Sequence, residues 1–548
     1  MVISVTPTNV ALAGIAAASG FLGFSLLRIL VRPLFSPLRY IPGPPGGSLL
    51  KGHADAFWEP RKESIIEEWI AKYGHVLKFK NFLNSDQLLI LDTRAIQYVL
   101  NTAADDYVKS PEIIFVVQDL LGVGVLLTEG EQHRRQRRIL NAAFGPAQIR
   151  DLTEIFVQKA TQLRDGISHQ IAGHESGARV DVLDWMSKAT LDIIGAAGFN
   201  YDFDALDLSK GPNELNVAFT TVFESTQKFS WGLLLQSFIP ATRFIPSKSL
   251  RLMRRAKATM DRLSLKLVRE QREALLREKN DAAIGKEAIQ TRDLLSLLIK
   301  ANMASDIPES QRMSEEEVLG QIPTFLGAGH DTTANSTSWC LYLLACHPDI
   351  QKKLREELLS IDTDSPSMDQ LSSLPFFDSV IRESLRVLGP VPSVLRVARK
   401  DDVIPLEKPY VDTRGRICSE VRVQTGDTIF VPIIAMNTST SIWGADAKEF
   451  RPERWGCVPD KASAVPGIWS NLMTFLAGPH HCIGYRFSLI EMKALLFALL
   501  RAFEFELAVP REDIMKVYAQ LVTKPMVATA DQEKQTQLPF IVKPFHAG

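Results

Sequence analysis

"FLAGPHHCIG", Phe475 to Gly484, sets one cysteine and two histidines among glycines near the C-terminal end of a 548-residue chain. Thiolates ligate soft metals, haem iron and iron–sulfur clusters. Gly478 and Gly484 bracket Cys482 and carry no side chain, so the backbone there can come close to a flat macrocycle. A zinc site needs ligands that converge from separate directions, and His480, His481 and Cys482 are too adjacent in sequence for that. A single axial thiolate fits the spacing better. Taken alone, the stretch also reads as a buried, inert cysteine in a Gly-Pro loop, so the rest of the chain must decide.

Composition narrows the choice. With 46% hydrophobic and 23% charged residues the chain can bury a sizeable core and has no disordered or fibrous character. A formal charge of −1 gives no overall bias toward nucleic acid. Cys340, Cys346, Cys418, Cys457 and Cys482 are odd in number and lack C-x-x-C spacing, which speaks against a disulfide framework or zinc ribbon and for reduced thiols facing the cytosol.

From Asn9 to Leu27, "NVALAGIAAASGFLGFSLL" carries no charge, close to the ~20 residues a helix needs to cross a bilayer core. Arg28, Arg32 and Arg39 come next, and the positive-inside rule keeps that side cytoplasmic. A cleaved signal peptide usually has a basic region ahead of its apolar run, and "MVISVTPT" has none, although the small residues leave cleavage open. Residues 1–32 are therefore expected to form a retained single-pass anchor. "IPGPPGG", Ile41 to Gly47, cannot continue a helix, and 33–47 reads as a proline/glycine hinge. Beyond Ser48 there is no repeat and no comparable linker, so 48–548 is expected to be one large domain.

"HVLKFKNF" and "QLLILD" flank the turn-like Asn84 and Ser85 and predict an early β-hairpin. Helical spacing dominates afterwards. Leu250 to Asn280 reads as a long helix with one solvated face. Ser314 and Glu317 make a capping box, and the apolar pattern from there runs until His347-Pro348. Inside that second long helix, "GAGHDTT", Gly327 to Thr333, interrupts a buried sequence with glycines and polar residues. A helix-interior glycine costs about 1 kcal/mol relative to alanine. Thr332 can bond back to the carbonyl of Ala328, and Pro323 adds strain upstream. Such a stretch would let a flat ligand or O2 approach the backbone, with Asp331 and Thr332 placed to relay protons; a glycine kink serving helix packing alone reads as well. Glu383 and Arg386 in "IRESLRVLGP" stand three apart on one helical face among apolar neighbours, and Arg454 in "FRPERW" is a candidate third partner.

Together these stretches resemble the cytochrome P-450 monooxygenases. "FLAGPHHCIG" is similar to their haem-binding F-x-x-G-x-x-x-C-x-G, "AGHDTT" to their oxygen-activating motif, "ESLR" to E-x-x-R and "PERW" to the element after it, in the family's order. The resemblance implies a mainly α fold with a small β region, the cytochrome P-450 fold, and haem b (iron protoporphyrin IX) as cofactor. By the same resemblance Cys482 is the axial haem iron ligand, Asp331 and Thr332 deliver protons, and Glu383, Arg386 and Arg454 form a structural triad behind the haem. Phe475 and Ala328 are implied haem neighbours.

Two departures concern the haem propionates. Most members have arginine where this chain has His480, and W-x-x-x-R where "HRRQR" supplies His133 and Arg137. Histidine donates a hydrogen bond to a carboxylate, more strongly when protonated, which gives the role a pH-dependent component. Arg396 resembles the arginine that pairs the other propionate. "HRRQRR" also matches a nucleic-acid patch, which the anchor disfavours; by resemblance part of this basic face docks an acidic reductase. The chain has no G-x-G-x-x-G fingerprint, and the segment after Gly484 is too short for a flavin domain. An external NADPH–cytochrome P-450 reductase is implied, with cytochrome b5 as a further candidate donor, on the cytoplasmic face of the endoplasmic reticulum. Histidines at both departures resemble fungal members. Substrates would be apolar: terpenoids, steroids or polycyclic aromatics, in secondary metabolism or detoxification. Phe115 to Leu126, Phe325 and Pro390 to Val394 are the candidate substrate-lining segments. A haem-dependent isomerase or dehydratase of the same fold, or a membrane-anchored haem carrier or sensor, would not need the Asp331–Thr332 pair.

Overall fold

The computed structural model describes residues 35–57, 65–174, 176–211, 248–283, 293–303, 308–519, 522–528 and 536–546, with a few further single positions. The expected anchor span, 9–27, lies outside the described residues apart from isolated positions. Among the described residues no helix is long and apolar enough to cross a membrane. The chain is mainly helical with small sheets, and its contacts divide it into two compact units, Met1–Val108 with Ser393–Ala435, and Lys109–Pro392 with Met436–Gly548.

The first unit is built on a five-stranded sheet in the order β1-β2-β8-β5-β3. β1 (Val76–Lys80) and β2 (Asp86–Ile90) are the expected hairpin, in register from Val76 opposite Ile90 to Lys80 opposite Asp86. Along β1 the buried Leu77 and Phe79 alternate with the half-buried Lys78 and Lys80, the period-2 pattern of a strand with one covered face. Leu83 and Asn84 turn the chain with left-handed φ of 55° and 57°, a region asparagine tolerates better than most residues. β8 (Thr428–Val431) pairs parallel to β2 and antiparallel to β5 (Val394–Ala398), which pairs with β3 (Tyr107–Val108). α1 (Ile65–Tyr73) packs against β1, and β6 (Asp402–Val411) with β7 (Ile417–Val423) forms a separate ladder. Within this unit the prolines and glycines of Ile41–Gly47 run without helix or strand after a short 3-10 turn at Pro37–Tyr40.

The second unit holds the long helices. α2 (Pro111–Leu121), α3 (Gly130–Ala143), α4 (Pro146–Ile171) and α5 (Val182–Phe199) precede α6 (Lys248–Ala283), the long charged helix expected from the sequence. α7 (Glu315–Cys346) starts at Ser314 with the expected capping box: Glu317 N–H donates to Ser314 Oγ at 3.2 Å, and Ser314 N–H to Glu317 Oε2 at 2.8 Å. It ends before Pro348. α8 (Pro375–Val387) has proline at its first turn, and two first-turn donors that the helix itself leaves unpaired, Phe376 N and Phe377 N, are taken up by the Glu357 carboxylate at 3.0 and 2.7 Å. α9 (Tyr485–Ala502) packs on α4 and α7, while α5 lies along α7, so α7 is covered on several sides. β4 (Ala178–Asp181), β12 (Pro539–Pro544) and β9 (Phe503–Leu507) form an antiparallel sheet with β12 in the middle, and β10 (Ile514–Ala519) pairs with β11 (Val522–Val527).

Candidate functional site

The cysteine loop is shaped by its own backbone. After a 3-10 turn at Met473–Phe475, Leu476 and Gly478 take left-handed φ of 61° and 70°, a conformation glycine adopts without strain. The chain doubles back, Cys482 N–H donating to Phe475 O at 2.9 Å and His481 N–H to Gly478 O at 3.1 Å. The Phe475 ring stands edge-on to Trp469, centroids 5.4 Å apart, and near Tyr485 at 5.9 Å. α9 begins at Tyr485, so the positive end of its dipole lies next to the sulfur. Burial nevertheless dominates and raises the Cys482 pKa above the ordinary thiol value, with the Gly484 N–H and Arg137 acting the other way. Yet Cys482 exposes surface. Accessible surface on a residue whose sulfur is crowded by protein atoms is what the wall of a cleft would show.

Two further observations fit a flat group in that space. Ala328 is exposed although residues 321–327, 330 and 331 of the same helix are buried. A Cβ added at Gly484, whose φ is an ordinary −85°, would meet nothing nearer than Phe144 at 3.9 Å, so the protein's own packing does not demand glycine there. The donor set, one thiolate and a backbone stripped of side chains, fits haem and no caged metal; among the described residues no His/Cys/Asp/Glu group that could hold a metal ion occurs.

A polar cluster lies beside the loop. The buried His133 ring on α3 lies 4.0 Å from the His480 ring. His480 Nε2 is 2.9 Å from Glu129 Oε2, and Lys109 Nζ lies 3.2 Å from His480 Nδ1 and 3.1 Å from Glu129 Oε1. Burial works to raise the Glu129 pKa, but the hydrogen bond from His480 and the charge of Lys109 outweigh it and hold it down to about 2. Burial, with His480 and Lys109, lowers His133 to about 3, so its imidazole is neutral. Arg137, expected at a propionate, sends its terminal nitrogens to His481, 2.8 Å to the carbonyl and 2.7 Å to Nε2, and braces the cysteine loop. Arg396 belongs to the first unit, buried on β5, with NH1 donating to Leu395 O at 2.9 Å.

α7 carries "GAGHDTT" without a break. Thr332 Oγ1 donates to Ala328 O at 2.7 Å, as the spacing predicts, and Thr324, Ser336, Thr337 and Ser338 each bond the carbonyl four residues back. Such bonds satisfy hydroxyls in a helix that has little water to offer. Gly329 lets α5 close in: a Cβ there would sit 3.0 Å from Ile194 Cδ1. Asp331 Oδ1 lies 2.6 Å from Lys524 Nζ on β11, and Asn335 Nδ2 reaches Asp331 O at 2.6 Å. His330 turns away to Ser187 Oγ at 2.9 Å, and burial lowers its pKa to about 4. Burial also pushes Glu491 on α9 well above the ordinary carboxyl range, Thr333 acting against it.

Glu383, Arg386 and Arg454 meet in a second buried cluster. Arg386 Nε and NH2 grip the Glu383 carboxylate at 2.9 and 2.7 Å, a two-point contact between side chains with 0% exposure. Arg454 Nε adds 3.2 Å to Oε1, and Trp455 Nε1 donates to Oε2 at 3.1 Å. The remaining guanidinium donors reach the carbonyls of Asn437, Ala447 and Glu449 from Arg386, and Asp446 from Arg454. Asn437 carries the network onward: its Nδ2 donates to Thr474 Oγ1 at 2.9 Å and its Oδ1 accepts from Met473 N at 2.8 Å, on the doorstep of the cysteine loop.

Lys109, Glu129, Asn437, Asp446 and Lys524 were not marked by sequence motifs. Lys524 is 193 residues from Asp331, and only the packing of β11 against α7 reveals it.

The cytochrome P-450 family model matches residues 42–529. Cytochrome P-450 monooxygenase 205 of Postia placenta is 49% identical over 547 residues, covering 99% of each chain, and monooxygenase 128 of the same fungus is 47% identical over 545 residues, again 99% of each. Cytochrome P-450 monooxygenase claQ of Ampulloclitocybe clavipes is 34% identical over 486 residues, 86% of this chain and 87% of that one. An identity of nearly one residue in two along the whole length, with the family model matching most of the chain, leaves one assignment: the chain belongs to the cytochrome P-450 family of haem-dependent monooxygenases.

Proposed function

We propose that the protein inserts one oxygen atom from O2 into an apolar organic substrate of terpenoid, steroid or polycyclic aromatic type, with Cys482 as the residue that would hold the haem iron and electrons from a separate NADPH-dependent reductase. The observation that carries this reading is the accessible Cys482 held in a doubled-back loop just ahead of α9. Bound haem would supply the oxygen chemistry, its reactivity set by electron donation from the thiolate. The chain's own residues supply the rest. The Phe475 carbonyl and the α9 N-terminus fix the sulfur. His133, His480 and Lys109 offer donors for carboxylates. Thr332, half-buried with its hydroxyl anchored on Ala328 O, is positioned to pass on a proton received from Asp331. The Glu383 network holds the loop through Asn437. The uncharged N-terminal run supports an endoplasmic reticulum anchor with the catalytic part in the cytoplasm.

The test is to purify the full-length chain, reduce it under carbon monoxide, then supply reductase, NADPH and a panel of apolar substrates. A red-shifted Soret band typical of thiolate ligation, lost in Cys482→Ser, with substrate-dependent oxygen uptake and an oxygenated product, is the expected result. A Soret band of imidazole-ligated iron, or binding shifts without product across the panel, overturns the reading.

A further inference from the structure

Two rungs of α3 meet two successive residues of the cysteine loop. His133 and Arg137 stand four apart, on one face of the helix; the first packs its ring on His480 and the second reaches His481. Arg137 spends the fork of its guanidinium on that one residue, NH1 donating to the carbonyl at 2.8 Å and NH2 to Nε2 at 2.7 Å. Its buried Nε has no partner among the described residues, so the fork is where its binding goes. His481 is tied on its other side as well: Nδ1 lies 2.8 Å from Gly478 O, which also accepts the His481 backbone N–H at 3.1 Å. A carbonyl only accepts, so Nδ1 carries the ring proton and Nε2 is left as the acceptor for Arg137. The next residue is Cys482, its own N–H held by Phe475 O. A planar fork on two acceptors fixes direction as well as distance, and the residue before the sulfur is therefore clamped both from α3 and from within the loop.

We propose that Arg137 and His481 are positioning residues for Cys482: the guanidinium fork and the Gly478 carbonyl hold His481 between α3 and the loop, and this clamp sets the direction in which the sulfur leaves the backbone. The proposal rests on the reading of Cys482 given under Proposed function. It takes Arg137 away from the haem propionates, for which His133, His480 and Lys109 offer donors. No proton or electron moves in the clamp; it acts through geometry alone.

The experiment uses the full-length, haem-loaded chain as wild type, Arg137→Met, Arg137→Lys, His481→Phe, His481→Gln and the Arg137→Met/His481→Phe double variant. Each reduced carbon-monoxide complex is held in a fixed, sub-denaturing concentration of urea, and the conversion of its thiolate band into that of an iron without the thiolate is timed. Arg137→Met and His481→Phe are each expected to speed the conversion at least about fivefold, the low end of what losing a buried hydrogen bond to a charged group costs. The double variant should convert within about twofold of the faster single one, because both changes break the same clamp. Arg137→Lys keeps the charge without the fork and should stay fast, whereas His481→Gln keeps an acceptor for Arg137 and should recover most of the wild-type lifetime. A wild-type lifetime in His481→Phe, or accelerations that multiply in the double variant, overturns the proposal. So does a wild-type lifetime in Arg137→Lys, since charge alone then suffices. Haem transfer to apomyoglobin reads the competing role: if Arg137→Met releases haem faster than the wild type while His481→Phe does not, Arg137 holds a propionate and the clamp is wrong. If Arg137→Met fails to load haem, Arg137→Lys against His481→Gln makes the same comparison. Absence of the thiolate band in the wild type would instead remove the reading of Cys482 itself.

Discussion

The two buried charge clusters of the second unit are built on opposite plans. Around Glu383, both carboxylate oxygens and every guanidinium nitrogen of Arg386 have partners, and Arg454 and Trp455 close the remaining sides. Among the described residues, one ammonium and one long amide contact hold the Asp331 carboxylate, beside a threonine whose hydroxyl is bound to its own helix. A saturated network has one geometry, since moving any member strands another in low dielectric. A sparsely tied carboxylate has alternatives. The difference separates a part with one allowed geometry from a part free to rearrange, which is what the proposed proton relay would need.

The largest effect should come from Glu383→Ala, which leaves Arg386 and Arg454 buried without their shared counter-charge and costs about 3–5 kcal/mol. Thermal unfolding and the yield of haem-loaded protein measure it; a loss near that of a surface variant would mean that the network does not hold the loop.

A pH effect comes next in size. His330 has a folded pKa of about 4 against 6.5 for the free side chain. As pH falls the unfolded chain takes up this proton first, so the stabilisation is complete above 6.5 and is lost between 6.5 and 4. At ~1.4 kcal/mol per unit the total reaches ~3 kcal/mol. Denaturant midpoints measured across that window should fall, and His330→Asn should flatten the slope.

Asp331→Asn should keep the thiolate carbon-monoxide band and lower product formation by roughly tenfold to a hundredfold, the usual span for removing a general acid. Initial rates of product and peroxide measure it, and loss of pigment instead would place Asp331 with the structural cluster. The smallest effect is expected at the exposed Arg134–Glu131 pair on α3, where Glu131→Gln should change unfolding free energy by less than ~0.5 kcal/mol.

Much of this division was legible in the residues. The hairpin at β1–β2, the two long helices and the Ser314 capping box followed from period, turn chemistry and caps, all of which are local. The Thr332–Ala328 bond was readable because both partners lie within one helical turn. Glu383 and Arg386 were readable as a pair for the same reason, whereas Asn437 and Asp446 became visible only through the fold, since no short pattern announces a backbone carbonyl 51 residues away from the arginine it receives. Lys109 and Glu129 escaped notice likewise: each is an ordinary charged residue until α3 and the cysteine loop bring His480 between them.

β12 is the middle strand of its sheet, and Leu538 at its entry bonds Asp181 at a separation of 357 residues. Synthesis runs from the N-terminus, so β12 emerges from the ribosome after both of its neighbours. Until then β4 and β9 present bare edges, the kind of surface on which nascent chains aggregate. Productive maturation of this unit thus waits on the last of its three strands, and lesions clipping residues 539–544 would act on newborn molecules as a failure to finish.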